Sequence, residues 1–278
     1  MSRILPRLER YHRPTRVDEA IALLRAGGRT TMLLGGGVSL GMLPRPNVRE
    51  VVGMERLGVD QVRREDSVLC IGASVTLGRL DSELIMGSAA ERLLRDTVRR
   101  TATTPLRNLM TVGGVIAGVG PWSDLPVSLL ALGADLVLNG AAVLPIETFL
   151  AKGPRVLDGA LITQVRVSWE GVTGGAFLKV GRNETDLALA SASVVVFREG
   201  MHPRIRAAIG GLVPRPVRIP AMEDTLAGPP LDGGAMTRLI GSVVSPRMDP
   251  RADGDYRLAL AGTCVVDCYE AARREACR

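Results

Sequence analysis

The stretch Thr104–Pro126, TPLRNLMTVGGVIAGVGPWSDLP, constrains the fold of this chain more than any other. It holds the adjacent pair Gly113 and Gly114, two more glycines at Gly118 and Gly120, and a Pro-Trp-Ser-Asp turn ending at Asp124. Glycine has no Cβ, so its backbone can take φ > 0 and its N–H can approach a ligand closely. Successive inward-pointing N–H groups make a nest for an anion. Lying between a helical segment and the apolar run Leu125–Leu132, the stretch is a candidate diphosphate-binding loop. A structural turn has the same composition, so this loop alone does not separate the two.

A second glycine run, Leu33-Leu34-Gly35-Gly36-Gly37-Val38-Ser39-Leu40, follows the short strand-like segment Thr31–Leu34. Strand, glycine loop and apolar restart are how many nucleotide sites begin, but the strict dinucleotide fingerprint is absent and a Rossmann fold is not expected.

The two loops together, in this order and spacing, resemble the flavin-binding subunit of the molybdenum hydroxylases, the group of xanthine dehydrogenase and aerobic carbon monoxide dehydrogenase. That family reads A-G-G-T-D-L in its first loop, and Q-V-R-N-x-x-T-V-G-G-N followed by P-x-S/A-D in its second. Here the second reads Pro105-Leu106-Arg107-Asn108-Leu109-Met110-Thr111-Val112-Gly113-Gly114-Val115, then Pro121-Trp122-Ser123-Asp124. The likeness continues through Gly210-Gly211, Pro216, Glu223, Leu226-x-Gly228 and Asp255-Tyr256-Arg257, covering nearly the whole chain.

The resemblance implies an α+β fold: a two-part FAD-binding domain over 1–172, divided near residue 55, then a C-terminal domain of antiparallel strands plus helices over 173–278. It implies that Leu34, Gly35, Gly36, Gly37, Val38, Ser39 and Leu40 wrap the FAD diphosphate from one side. Thr111, Val112, Gly113, Gly114 and Val115 would wrap it from the other. Asp124 matches an aspartate that helps hold the cofactor, though an Asp opening the Leu125–Leu132 helix is an equally ordinary role. Ile162 matches an apolar position along the flavin. Lys179 precedes an R-x-x-x-D pattern, Arg182 to Asp186, as in relatives, where a cation favours an anionic reduced flavin. Four positions depart from the pattern: Val38 for Thr, Ser39 for Asp/Asn, Val115 for Asn and Pro105 for Gln. Val38 and Val115 each remove a side-chain hydrogen bond worth about 0.5–1.5 kcal/mol if directed at the cofactor.

The implied function is an FAD-binding electron-transfer subunit, an oxidoreductase component. It would take electrons from iron–sulfur clusters on a small partner and pass them to an external acceptor. A molybdenum cofactor on a large partner would oxidise the substrate. The substituted loop positions leave open a second reading, a scaffold subunit of the same complex without flavin. No acid–base pair or nucleophile stands out, which suits a relay.

Composition excludes other classes. The 278 residues are 46% hydrophobic and 23% charged, enough for real cores. Net charge is +6, but the arginines are scattered and aromatics are only 3%, so no nucleic-acid footprint forms. No apolar run approaches the ~20 residues of a membrane span, and the basic N-terminus lacks an apolar core for a secretory signal; a cytoplasmic protein is expected. Cys70, Cys264, Cys268 and Cys277 show no C-x-x-C pair, so no metal site is expected and reduced, mostly structural thiols are.

Periodicity adds several elements: a helix capped by Thr15, with Asp18 at its third position, and ended by Gly27-Gly28, strands Val59–Val62 and Val68–Ile71 around Arg64-Glu65-Asp66, and an amphipathic helix Ala89–Arg100 with a solvated arginine face. An Asn139-Gly140 hairpin follows. Next come strands Leu161–Trp169 and Ala176–Val180 around a Gly171–Gly175 loop, an antiparallel pair Ala190–Phe197 and Ile205–Ile209, and closing helices at Ala221–Leu226, Met236–Val243 and Tyr256–Ala272.

Overall fold

The computed structural model describes residues 5–38, 45–199, 202–227 and 232–277. Three sheets and ten helices are seen among them. The first sheet comprises β1 (Arg10–His12), β2 (Thr31–Leu34) and β3 (Glu50–Gly53), with β3 central and parallel to both neighbours. Helix α1 (Val17–Gly27) is the crossover that lets β1 and β2 run the same way. Its N-cap is Arg16, one residue after the expected Thr15. The Arg16 side chain gives no cap bond, and Glu19 reaches back to the Thr15 N–H at 3.2 Å, so Glu19 supplies what Asp18 was expected to give. Gly28 ends the helix at φ 50°.

The second sheet is antiparallel, in the order β4 (Val62–Glu65), β5 (Val68–Gly72), β8 (Ile162–Ser168), β6 (Asp135–Leu138), β7 (Ala142–Pro145). The first hairpin is shifted from its expected place. Arg64 and Glu65 lie in β4, and the chain reverses at Asp66, which takes φ 50°. Asn139 and Gly140 turn β6 into β7 with φ of 55° and 81°, the paired positive values of a type I′ turn.

Helices α2 (Leu77–Glu83), α3 (Ala89–Arg100), α4 (Thr104–Arg107), α5 (Val112–Ala117), α6 (Leu125–Leu132) and α7 (Ile146–Lys152) pack around these sheets. All eight residues of α6 are buried. A helix apolar on every side has nowhere to sit but inside. The arginines of α3 are not simply solvated: Arg95 and Arg99 both pair with Asp81, and Arg92 pairs with Glu275.

The third sheet is an antiparallel meander of β9 (Val172–Val180), β10 (Ala190–Glu199), β11 (His202–Gly210) and β12 (Val217–Arg218). Helices α3 and α6 contact one part of it, while α8 (Pro220–Leu226) and the long α10 (Gly254–Ala276) pack against it elsewhere; α9 (Gly233–Val243) packs on α10. The Gly171–Gly175 segment is strand rather than loop from Val172 onward. Its glycines answer to packing: a Cβ at Gly174 would lie 2.0 Å from the Ala272 carbonyl of α10, and one at Gly175 would lie 3.1 Å from Leu93 of α3. Strand backbone here passes between two helices, which only glycine allows.

Arg257, in the Asp255-Tyr256-Arg257 motif, is fully buried. It donates to the carbonyls of Leu189 (2.6 Å) and Gly211 (3.2 Å) and to Asp249 (2.8 Å), tying α10 to the ends of the meander. The mixture of helices and antiparallel sheets is the expected α+β fold, with one small parallel sheet at its start.

Candidate functional site

The first glycine loop leaves β2 at Leu34, level with Gly53 on β3. Gly37 turns it with φ 75°. Among the described residues, the amides of Gly35, Gly36 and Gly37 donate to no protein acceptor. Ser39 and Leu40, expected in the same loop, lie outside the described residues.

The second loop is the start of α5, and it is held firmly. Leu77 N–H donates to Met110 O (2.8 Å), Val112 N–H to Val75 O (2.9 Å) and Gly113 N–H to Ala73 O (2.8 Å), which zips the segment to the chain after β5. Thr111 is the N-cap: its hydroxyl accepts from Gly114 N–H at 3.2 Å, and its carbonyl from Val115 N–H at 2.9 Å. Four of the five amides expected to face an anion here, those of Val112, Gly113, Gly114 and Val115, are therefore engaged inside the protein. Gly113 is glycine because a Cβ would lie 2.8 Å from the Ala73 Cβ.

The two loops lie against each other. A Cβ on Gly35 would sit 2.5 Å from the Thr111 hydroxyl, and one on Gly36 would sit 1.4 Å from the Leu109 carbonyl oxygen. They floor a cavity of about 1080 Å³. Its lining brings together Leu34, Gly35, Gly36, Gly37, Val38, Thr111, Gly113, Gly114, Val115 and Ile162. Val112 is fully buried in the main core and does not line it. The sequence reading missed much of the remaining wall, including Leu24, Arg25 and Arg29 at the end of α1, Arg45, Met54 after β3, and most of the segment 154–161 before β8. Gly153 and Gly159, both at positive φ, bracket most of this segment, and two isolated glycines are no motif.

Asp124 and Lys179 stand apart from this lining, and they meet each other. Lys179 Nζ lies 2.9 Å from Asp124 Oδ2, with the two side chains only 4% and 5% exposed. The pair joins the N-terminal end of α6 to β9. Asp124 gives α6 no side-chain cap. Its Oδ1 is buried without a hydrogen bond, while the neighbouring Thr101 hydroxyl donates to Thr97 O at 2.8 Å. Burial pushes the Asp124 carboxyl up to about 6, and the Lys179 charge offsets this only in part. Trp122, in the same turn, has the Arg247 and Arg251 guanidinium groups 6.0 and 5.7 Å from its ring.

Cys264 and Cys268 are buried on α10, and burial pushes Cys264 up to about 12. Such thiols are inert. No group of three or more metal-ligating side chains occurs among the described residues, and no helix there is long and apolar enough to cross a membrane.

A cavity floored by glycines, with amides that have no acceptor among the described residues and a wall of apolar side chains and arginines, has the chemistry of a nucleotide-cofactor site. Residues 6–169 match the family model of the FAD binding domain in molybdopterin dehydrogenase, and residues 175–272 match the CO dehydrogenase flavoprotein C-terminal domain. The chain is 31% identical to the carbon monoxide dehydrogenase medium chain of Hydrogenophaga pseudoflava, over 97% of this chain and 98% of that one. It is 29% identical to the glyceraldehyde dehydrogenase medium chain of Sulfolobus acidocaldarius, over 94% and 96%. Its fold superposes on a chain of the H. pseudoflava carbon monoxide dehydrogenase lacking the Mo-pyranopterin moiety, with a TM-score of 0.87, 30% identity, and coverage of 98% and 99%. The chain belongs to the FAD-binding medium subunits of the molybdenum hydroxylases, and is an oxidoreductase subunit.

Thr111→Ala isolates the cap. It should cost about 1 kcal/mol of stability and free the Gly114 amide, lowering the midpoint of denaturant unfolding without a change in slope. An unchanged midpoint would mean that the cap is not holding α5.

Proposed function

We propose that this chain is the electron-transfer subunit of a multi-subunit molybdenum hydroxylase. It takes electrons from iron–sulfur clusters on a small partner and passes them to an external acceptor. A large partner carries the molybdenum cofactor and converts the substrate. The cavity between the two glycine loops carries this reading, because a Cβ on Gly35 or Gly36 would strike the second loop and the first loop's amides have no acceptor among the described residues. Bound FAD supplies the redox chemistry.

The chain's own residues do the holding. The amides of Gly35, Gly36 and Gly37 would hold the diphosphate, donors that cost no side-chain entropy. Val38, Val115 and Ile162 give the cavity apolar surface and exclude water. Thr111, by capping Gly114, fixes the loop on which the first one rests. The buried Asp124–Lys179 pair positions the Pro121–Asp124 turn against β9, a supporting role one step removed from the cofactor.

We divide the chain into an FAD-binding part over 1–172, itself in two parts meeting near residue 55, and a C-terminal part over 173–278. Support comes from the sheets: the first ends at Gly53, the second begins at Val62, and the third begins at Val172. The partners would be co-purified with the tagged chain and analysed for molybdenum, iron and flavin. After chemical reduction, the complex should pass electrons to an added dye, quinone or NAD, and flavin-depleted complex should not. Equal rates with and without flavin would refute the relay and favour a scaffold.

A further inference from the structure

The cavity has a second wall of different chemistry. The last turn of α1 is linked to the chain just after the 3₁₀ turn Pro154–Leu157, where Arg25 Nε donates to Gly159 O at 3.3 Å. Arg25, Arg29, Arg45 and Arg155 all line the cavity, and Asp158 is the one acidic residue among its lining. Four cations less one carboxylate leave a local charge of +3. Among the described residues none of the four forms an ion pair. Elsewhere the molecule pairs its arginines readily, as at Arg64–Glu91, Arg79–Asp60 and Arg218–Glu223.

This wall is a poor place for an anion without them. The C-terminal end of α1 presents carbonyl oxygens and partial negative charge. Arg25 lies in that last turn and answers the helix itself. Arg29 and Arg155 lie in 3₁₀ turns, where no helix end requires a cation. In the second glycine loop the amides of Val112, Gly113, Gly114 and Val115 are already hydrogen-bonded within the protein, which leaves less backbone there to meet a diphosphate. Side-chain cations on the facing wall supply charge that the amides alone do not.

We infer that Arg29 and Arg155 form a charged rim that holds the phosphates of the dinucleotide, complementing the amides of Gly35–Gly37. The inference rests on the FAD reading above and deepens it. Both arginines are exposed, so their hold is long-range, screened by salt, and separable from folding.

The test titrates full-length, flavin-depleted chain with FAD by flavin fluorescence, at low and high salt, with ADP as a competing probe. Arg29→Ala/Arg155→Ala should bind FAD about 5- to 30-fold more weakly at low salt. The gap should close to under about 3-fold at high salt, as screening removes the pairing. ADP should compete measurably with wild type and much less with the variant. Arg63→Ala/Arg238→Ala removes the same charge from exposed positions off the cavity and should bind as wild type. Equal binding by the rim variant and wild type would overturn the rim while leaving the flavin site intact. Equal weakening by the control pair would reduce the effect to net charge and also overturn it. Wild type that takes up no FAD at either salt would overturn the underlying reading itself.

Discussion

Lys179→Met should destabilise the fold by about 3–5 kcal/mol, the usual cost of leaving one member of a buried ion pair alone. Asp124 Oδ1 has no hydrogen bond and Oδ2 has Lys179 at 2.9 Å. Removing the ammonium strands a carboxylate inside the molecule. Asp124→Asn/Lys179→Met should recover much of the loss, because two neutral groups then replace two charges. The pH dependence has a definite sign. The folded carboxyl titrates near 6, above its ordinary value of 3.8, so the folded state binds the proton more tightly. The stability this group contributes is fully present below its unfolded value and is lost as pH rises through about 6. Taking away Lys179 removes the influence that lowers the value, so the loss should extend to higher pH in Lys179→Met. Melting temperatures measured across that range check this. A variant as stable as wild type at neutral pH would mean that the pair is solvated.

Gly36→Ala should lower FAD affinity at least about tenfold, equivalent to ~1.4 kcal/mol, and cost about 1–3 kcal/mol in stability. The new Cβ would fall 1.4 Å from the Leu109 carbonyl oxygen and 2.6 Å from its carbon. Both are backbone atoms, so no rotamer change relieves the clash and the loops must part. Gly114→Val, by contrast, first meets the Thr111 hydroxyl at 2.7 Å, a side chain that can turn aside. The milder geometry at Gly114 should leave more flavin bound than Gly36→Ala does. Fluorescence titration of both variants gives the comparison, and full affinity in Gly36→Ala would show that the loops need not touch.

The loops were legible because glycine runs after a strand and before a helix are local features. What each glycine does was not. Gly113 and Gly114 look like nest residues in sequence, yet their amides serve Ala73 and the Thr111 cap. Gly174 and Gly175 look like a turn, but packing against α10 and α3 makes them strand. Local propensity yielded there to tertiary contact. Asp124 and Lys179 were each singled out, but nothing in a sequence joins residues 55 apart. The wall at 154–161 went unread because it has no period and no motif; Arg155 resembled any other of the scattered arginines.

Hydrogen exchange of the full-length chain with and without FAD, followed peptide by peptide, tests the central claim that the cofactor lies on the first glycine loop. The amides of Gly35, Gly36 and Gly37 have no protein partner among the described residues, so bound diphosphate should slow their exchange markedly. Those of Val112, Gly113, Gly114 and Val115 are already hydrogen-bonded and should change little. Protection that appears elsewhere while residues 35–37 exchange as fast as before would contradict the account.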